Sequence, residues 1–165
     1  MTRATSLATL SLLCILAAAT PARADVTAFI GVSPTPNNHS ARGFSAGVGL
    51  LIVGFEFEYG HLAEDQLEAL PSLKTWSGNV LAQTPVDILG MQLYATIGAG
   101  GYREYLQSGS VTFQETNAAI NTGGGAKIKL IGPVRVRVDY RVFKLQGNPI
   151  NAVYQRFYVG GNLKF

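Results

Sequence analysis

The sequence predicts an all-β chain: an eight-stranded antiparallel up-and-down transmembrane β-barrel, preceded by a cleaved signal peptide. Three observations carry this. Polar and apolar residues alternate with period two along most of the chain, the repeat of a strand with two unlike faces. The breaks between these runs alternate long and short, as in a meander with tight turns on one side of a membrane and loops on the other. The first 24 residues read as an address and not as structure.

That segment, "MTRATSLATLSLLCILAAATPARA", has Arg3 near its start, an apolar run from Leu7 to Ala19, and then Ala22-Arg23-Ala24. These are the charged region, apolar region and A-x-A site of a secretory signal. The run is shorter than the roughly 20 residues of a spanning helix. Cleavage after Ala24 divides the chain into residues 1–24, the signal, and 25–165, the barrel. The single cysteine, Cys14, lies inside the signal behind Leu13, which is not the small residue a lipoprotein site needs. The exported part therefore has no thiol, disulfide or cysteine metal site. Of the 13 basic residues, Arg3 and Arg23 precede Asp25, and none of the 10 acidic residues does. Eleven against ten leaves a net +1, and no basic field remains to attract nucleic acid.

Eight runs follow. The first is "DVTAFIGVS", Asp25 to Ser33, and the second "GFSAGVGLL", Gly43 to Leu51. The third is "GFEFEYGH", Gly54 to His61, and the fourth "TWSGNVLAQT", Thr75 to Thr84. The fifth, Met91 to Leu106, and sixth, Thr116 to Ile131, are longer and rich in glycine. The seventh is "VRVRVDYRVF", Val134 to Phe143, and the eighth "RFYVGGNLKF", Arg156 to Phe165. Each approaches the ten residues that cross an outer membrane when tilted. "IV", "PVDILG" and "GP" are the short turns. The long gaps put outer loops at Asn37 to Arg42, Glu64 to Lys74, Ser108 to Glu115 and Gly147 to Gln155, with one passable helical turn in His61 to Leu70.

The seventh run sets the question of inside and outside. Arg135, Arg137, Asp139 and Arg141 alternate with Val134, Val136, Val138, Tyr140 and Val142. A soluble barrel would turn the valines inward; a membrane barrel turns them to lipid and hides the charges. Two features select the second. The apolar face carries aromatics near strand ends, Phe55, Tyr59, Trp76, Tyr140, Phe157 and Phe165, as interfacial girdles do. The polar face carries Gly98, Gly100, Gly123, Gly125 and Gly160, which suit a crowded lumen.

With the signal, the alternating strands and the ending "YVGGNLKF", the chain from Asp25 to Phe165 resembles the small eight-stranded outer-membrane β-barrels, the OmpA/OmpX-like superfamily. The resemblance implies residence in a bacterial outer membrane, among outer-membrane lipid and lipopolysaccharide. It implies that the barrel-assembly machinery reads the terminal pattern Phe157, Val159, Leu163 and Phe165, with Gly161 a weak position. The chain stops at Phe165, so the peptidoglycan-binding domain of longer relatives is not expected.

Folding the sixth and seventh runs about Gly132-Pro133 sets Lys129 beside Arg135 and Lys127 beside Arg137. Like charges opposite each other are unfavourable and need counter-charges when buried. The expected lumen network joins Glu56 and Glu58, across the barrel, to Lys127, Lys129, Arg135, Arg137, Asp139 and Arg141. Arginine's planar fork suits a carboxylate. Eight strands leave an interior nearly filled by side chains, so the network plugs the lumen. No catalytic, cofactor or metal site is expected. Some barrels of the resembled kind modify lipid A with a histidine, a serine and a carboxylate, but His39-Ser40 is adjacent and placed in a loop, and His61 has Glu64 and Asp65 nearby without a serine at strand spacing. "TGGGAK", Thr122 to Lys127, lacks the ending and helix of a phosphate loop. The expected function is a non-enzymatic, porin-like outer-membrane barrel with a structural or surface-interaction role. The alternatives are a lipid A-modifying enzyme, a narrow pore, or a soluble lipocalin-like carrier. The sequence names no extracellular ligand.

Overall fold

The computed structural model describes residues 23–35, 38–64, 70–108 and 111–165. The expected export signal lies outside them, except Arg23 and Ala24, which begin the first strand. The strands are β1 (Arg23–Ser33), β2 (His39–Leu50), β3 (Val53–Leu62), β4 (Ser72–Gln83), β5 (Met91–Ser108), β6 (Val111–Ile131), β7 (Val134–Leu145) and β8 (Val153–Lys164). Each pairs antiparallel with the next, and β8 closes onto β1. Closure leaves no open edge, which in lipid would strand a row of unpaired backbone groups.

The barrel has a fixed stagger. A walk along paired residues from Arg103 passes Lys74, His61, Arg42, Ile30, Val159, Val138 and Ala126, and returns to β5 at Leu93. That is ten residues lower on the same strand, so the strands must tilt steeply against the axis. Gly132, with φ of +55°, makes the β6–β7 turn where a side chain would be strained. The register shifts between Lys129 and Ile131, yet Lys129 still faces Arg135 and Lys127 still faces Arg137.

The alternation sorts the faces as a membrane barrel requires. Ile30, Phe55, Phe57, Ile97, Phe157, Val159 and Leu163 are exposed on the outside. Glu56, Glu58, Arg137, Asp139 and Arg141 point inward and are at most 4% exposed. This is the reverse of a soluble carrier's polarity, and that alternative does not fit. Eight residues separate Phe157 from Phe165, about 20 Å of height at ~3.3 Å per residue and a tilt of about 40°. Most of the ~25 Å apolar band is thereby spanned.

The strands rise higher than the sequence pattern suggests. His39 to Arg42, Ser72 to Lys74, Val111 to Glu115 and Val153 to Gln155, expected in outer loops, belong to β2, β4, β6 and β8. Of the expected helical turn, His61 and Leu62 end β3, and residues 65–69 lie outside the described part. Alternation persists in these extensions but its polarity inverts. Above the apolar band the outward residues include Ser40, His61, Lys74, Arg103, Lys144 and Gln155, with Val153 an apolar exception, while Ala41, Leu62, Leu73, Tyr102, Ala119, Phe143, Leu145 and Tyr154 form a buried inner cluster. The part in lipid is polar inside, and the part above it is apolar inside. Each follows its own solvent: hydrocarbon expels charge, and water expels apolar surface.

Candidate functional site in the barrel lumen

The lumen is built in three levels. At the inner end, Lys127 pairs with Asp25, and Asn162 Nδ2 donates to Asp25 Oδ1 at 3.2 Å and to Thr27 Oγ1 at 2.9 Å. Arg135 Nη1 donates to Gln92 Oε1 at 3.0 Å, and its Nη2 reaches Asp87 in the β4–β5 turn at 3.4 Å. The void bounded by Asp25, Glu56 and Lys127 measures about 10 Å³, room for one water at most.

The middle level is an ion cluster. Arg137 pairs with Glu56 through Nη1, and through Nη2 at 3.2 Å. Its Nε donates to the Tyr94 hydroxyl at 2.7 Å, and Nη2 also reaches Asp139 at 3.2 Å. Arg141 donates from Nη2 to Glu56 Oε1 at 2.8 Å and from Nε to Asp139 Oδ1 at 3.0 Å. Its Nη1 lies 3.2 Å from Glu58 Oε2. Arg156 pairs with the other oxygen of Glu58. Three guanidinium groups thus meet three carboxylates, Glu56, Glu58 and Asp139, with no net charge. Ser45 and Tyr94 supply further donors, to Glu56 and Asp139 respectively. Arg156 also packs its guanidinium against Phe143 and Phe29, 4.7 and 5.1 Å from the ring centroids, a favourable placement for a cation over π faces.

The outer level is the apolar cluster, with one acid above it. Glu104 is fully buried beyond the apolar band. It accepts from the Ile150 N–H and the Tyr154 hydroxyl, both at 2.8 Å, and Tyr102 donates to the Gln146 carbonyl at 2.6 Å. These bonds fold the β7–β8 loop over the mouth. Burial raises the Glu104 carboxyl above its usual range, the two donors oppose that, and Glu115 adds to it. Its protonated form therefore suits the folded state, and its contribution declines as pH rises through the raised value. Glu104→Ala is expected to cost about 1–3 kcal/mol by leaving both donors unpaired. Glu104→Gln should cost less than half of that and flatten the pH dependence, as read by urea unfolding between pH 4 and pH 8.

The predicted residues do not all meet. Glu56, Glu58, Arg137, Asp139 and Arg141 share the middle cluster. Lys127 and Arg135 lie below it with Asp25 and Asp87, not with the glutamates. Lys129 is exposed beside the register shift. Arg156, Asp25 and Tyr94 are members not expected from the sequence, as is Tyr158, whose hydroxyl donates to Glu58 Oε2 at 3.4 Å. His39 is not in a loop: it opens β2, is buried, and its Nδ1 lies 3.1 Å from the Ala63 carbonyl oxygen. Ser40 consequently points to the opposite face. His61 faces outward near the end of β3. Phe157, Val159, Leu163 and Phe165 share the outer face of the closing strand and its end.

No protein-family model matches the chain, and no curated protein matches its sequence. Solved structures do match the fold. The N-terminal β-barrel domain of Pseudomonas aeruginosa OprF superposes with a TM-score of 0.68 at 14% identity, over 87% of this chain and 97% of that one. Neisserial surface protein A gives 0.66 at 15% identity, over 87% and 96%. Ail, the attachment invasion locus protein of Yersinia pestis, gives 0.59 at 13% identity, over 87% and 98%. The chain has the fold of the small eight-stranded outer-membrane β-barrels, with the apolar exterior and charged interior that suit that fold to a bacterial outer membrane.

Proposed function

We propose that the protein is a non-enzymatic outer-membrane barrel, exported with loss of residues 1–24, whose closed body presents its outer end to molecules at the cell surface. The observation that carries this is the state of the lumen. Three arginines and three carboxylates neutralise one another there, and an apolar cluster seals the mouth above them. Among the described residues, such an interior favours neither a path of ordered water for an ion nor a cleft for a substrate. The names of two neighbours in fold, a surface protein and an attachment protein, support a role at the surface.

The test has two arms. In fractionated cells the protein is expected with the outer membrane, and unboiled samples should run at a different mobility from boiled ones. In planar bilayers the purified barrel is expected to give no steady conductance above background. Sustained ohmic steps would replace the plugged reading with that of a narrow pore. The lipid-modifying alternative draws no support from His39, whose ring is enclosed and whose neighbour Ser40 faces away. Activity on lipopolysaccharide that disappears in His61→Ala would revive it.

A further inference from the structure

Four basic side chains stand in one row across the outside of the barrel. Arg42 on β2 is paired with His61 on β3, His61 with Lys74 on β4, and Lys74 with Arg103 on β5. Arg42, Lys74 and Arg103 are exposed, and His61 is half-exposed. Directly paired residues lie about 4.5–5.5 Å apart at Cα, so the row runs about 15 Å. Side-by-side charges of one sign repel. Among the described residues, no ion pair joins any of the four to a carboxylate. The carboxylates of the strands, Asp25, Glu56, Glu58, Glu104, Glu115 and Asp139, all occupy inward positions. Of the loop acids, Glu64 accepts from the Gln107 N–H at 3.2 Å. Among the described residues the row has no carboxylate of the chain against it, which suits it to an anion from outside.

The height of the row narrows the anion's source. The barrel's stagger makes the row climb, from Arg42 beside the rings of Tyr59 and Trp76 to Arg103 above them. That is the headgroup level of the outer leaflet, where long basic side chains are tolerated because their heads reach the interface. A groove of about 900 Å³ descends from the row along the outer face. Arg42, His61 and Lys74 form its head, and Phe44 and Val159 are among its apolar walls. Gly161 leaves its floor open: a Cβ there would meet nothing within 4 Å. Two other grooves on the outside lack such a head. One, by Val48 and Phe57, has no basic residue, and the other, by Ile97 and Ile120, has Lys144 alone.

We propose that this head and groove hold one phosphorylated glycolipid of the outer leaflet, its phosphates lying along Arg42, His61, Lys74 and Arg103 and one acyl chain lying in the groove over Gly161. A row of this length is longer than a single phosphate needs and suits a headgroup with two. The site deepens the surface-interaction reading and rests on it.

The test uses the full barrel in detergent, incubated with diphosphoryl lipid A and then exchanged into fresh detergent, with retained lipid counted by native mass spectrometry. The wild type is expected to keep one lipid A per barrel. The triple variant Arg42→Gln, Lys74→Gln, Arg103→Gln should keep at least tenfold less, and Gly161→Leu, which fills the groove, at least threefold less. Arg42→Lys with Arg103→Lys should retain binding. All these positions face outward, so the heat-dependent mobility of the folded barrel should not change. Equal retention by the triple variant would overturn the proposal. So would equal retention of lipid A stripped of its phosphates, or of phosphatidylglycerol. A barrel that fails to enter bilayers at all would overturn the underlying membrane reading, and fractionation reports that separately from lipid retention.

Discussion

Glu56→Ala combined with Glu58→Ala is expected to abolish the folded, heat-sensitive species on gels. The pair of substitutions leaves Arg137, Arg141 and Arg156 with Asp139 as their only carboxylate in the middle of the lumen. All three guanidinium groups are at most 1% exposed. Removing one partner of a buried ion pair costs about 3–5 kcal/mol, because the charge left behind has no solvent. The two losses should not add, since Arg141 bonds both glutamates, and groups sharing a partner are coupled. The measurement is urea unfolding in micelles, followed by the fluorescence of Trp76 and by gel mobility. An unchanged midpoint would mean that the cluster contributes nothing to stability. A companion variant separates lost attraction from stranded charge. Glu58→Gln alone strands Arg156, whereas Glu58→Gln with Arg156→Met removes that pair together and should recover most of the single variant's loss.

Gly100→Val and Gly123→Val should each prevent stable closure, at or above the upper end of the roughly 1–3 kcal/mol that overpacking costs. A Cβ at Gly100 would fall against the Trp76 carbonyl oxygen and 2.6 Å from the Ser77 Cα; one at Gly123 would fall against the Tyr140 carbonyl oxygen and 2.9 Å from the Arg141 Cα. These are backbone atoms of a paired strand, and they cannot yield as a side-chain tip can. Gly78 and Gly161 provide the control. Both face outward with nothing within 4 Å of an added Cβ, so Gly78→Val and Gly161→Val should fold as well as the wild type. Refolding yield into detergent, read as the fraction of shifted mobility, compares the four. Equal yields would show that the lumen is less crowded than its geometry implies.

Parity was the legible part of this sequence. One glance along Val134 to Phe143 separates two faces, and strand period two allows no other sorting. The pairing of Lys127 with Arg137 followed equally simply, because a short turn about Gly132 fixes a local register. What could not be read was height. Which side chains share a level across the lumen depends on the ten-residue stagger, and only closure of β8 onto β1 sets that. Lys127 therefore meets Asp25 on β1 and not Glu56 on β3. Arg156 meets Glu58, although nothing around Arg156 in the sequence distinguishes it from a charge at a strand's outer end. The strand extensions were missed for a related reason. His39, Ser72 and Val153 stand in stretches rich in loop-forming residues, and the sheet continues through them because neighbouring strands supply backbone partners.

The reversal of polarity partway up the strands acts as a depth stop. Sinking the barrel by two residues, about 7 Å of strand, would draw Arg42 and His61, the lower end of the basic row, into hydrocarbon. Raising it by the same amount would strip lipid from Leu163 and Phe165 at the other rim. Either slip is uphill, so immersion is encoded in the strands themselves. The surface loops stand at a constant distance from the bilayer without a tether to hold them there.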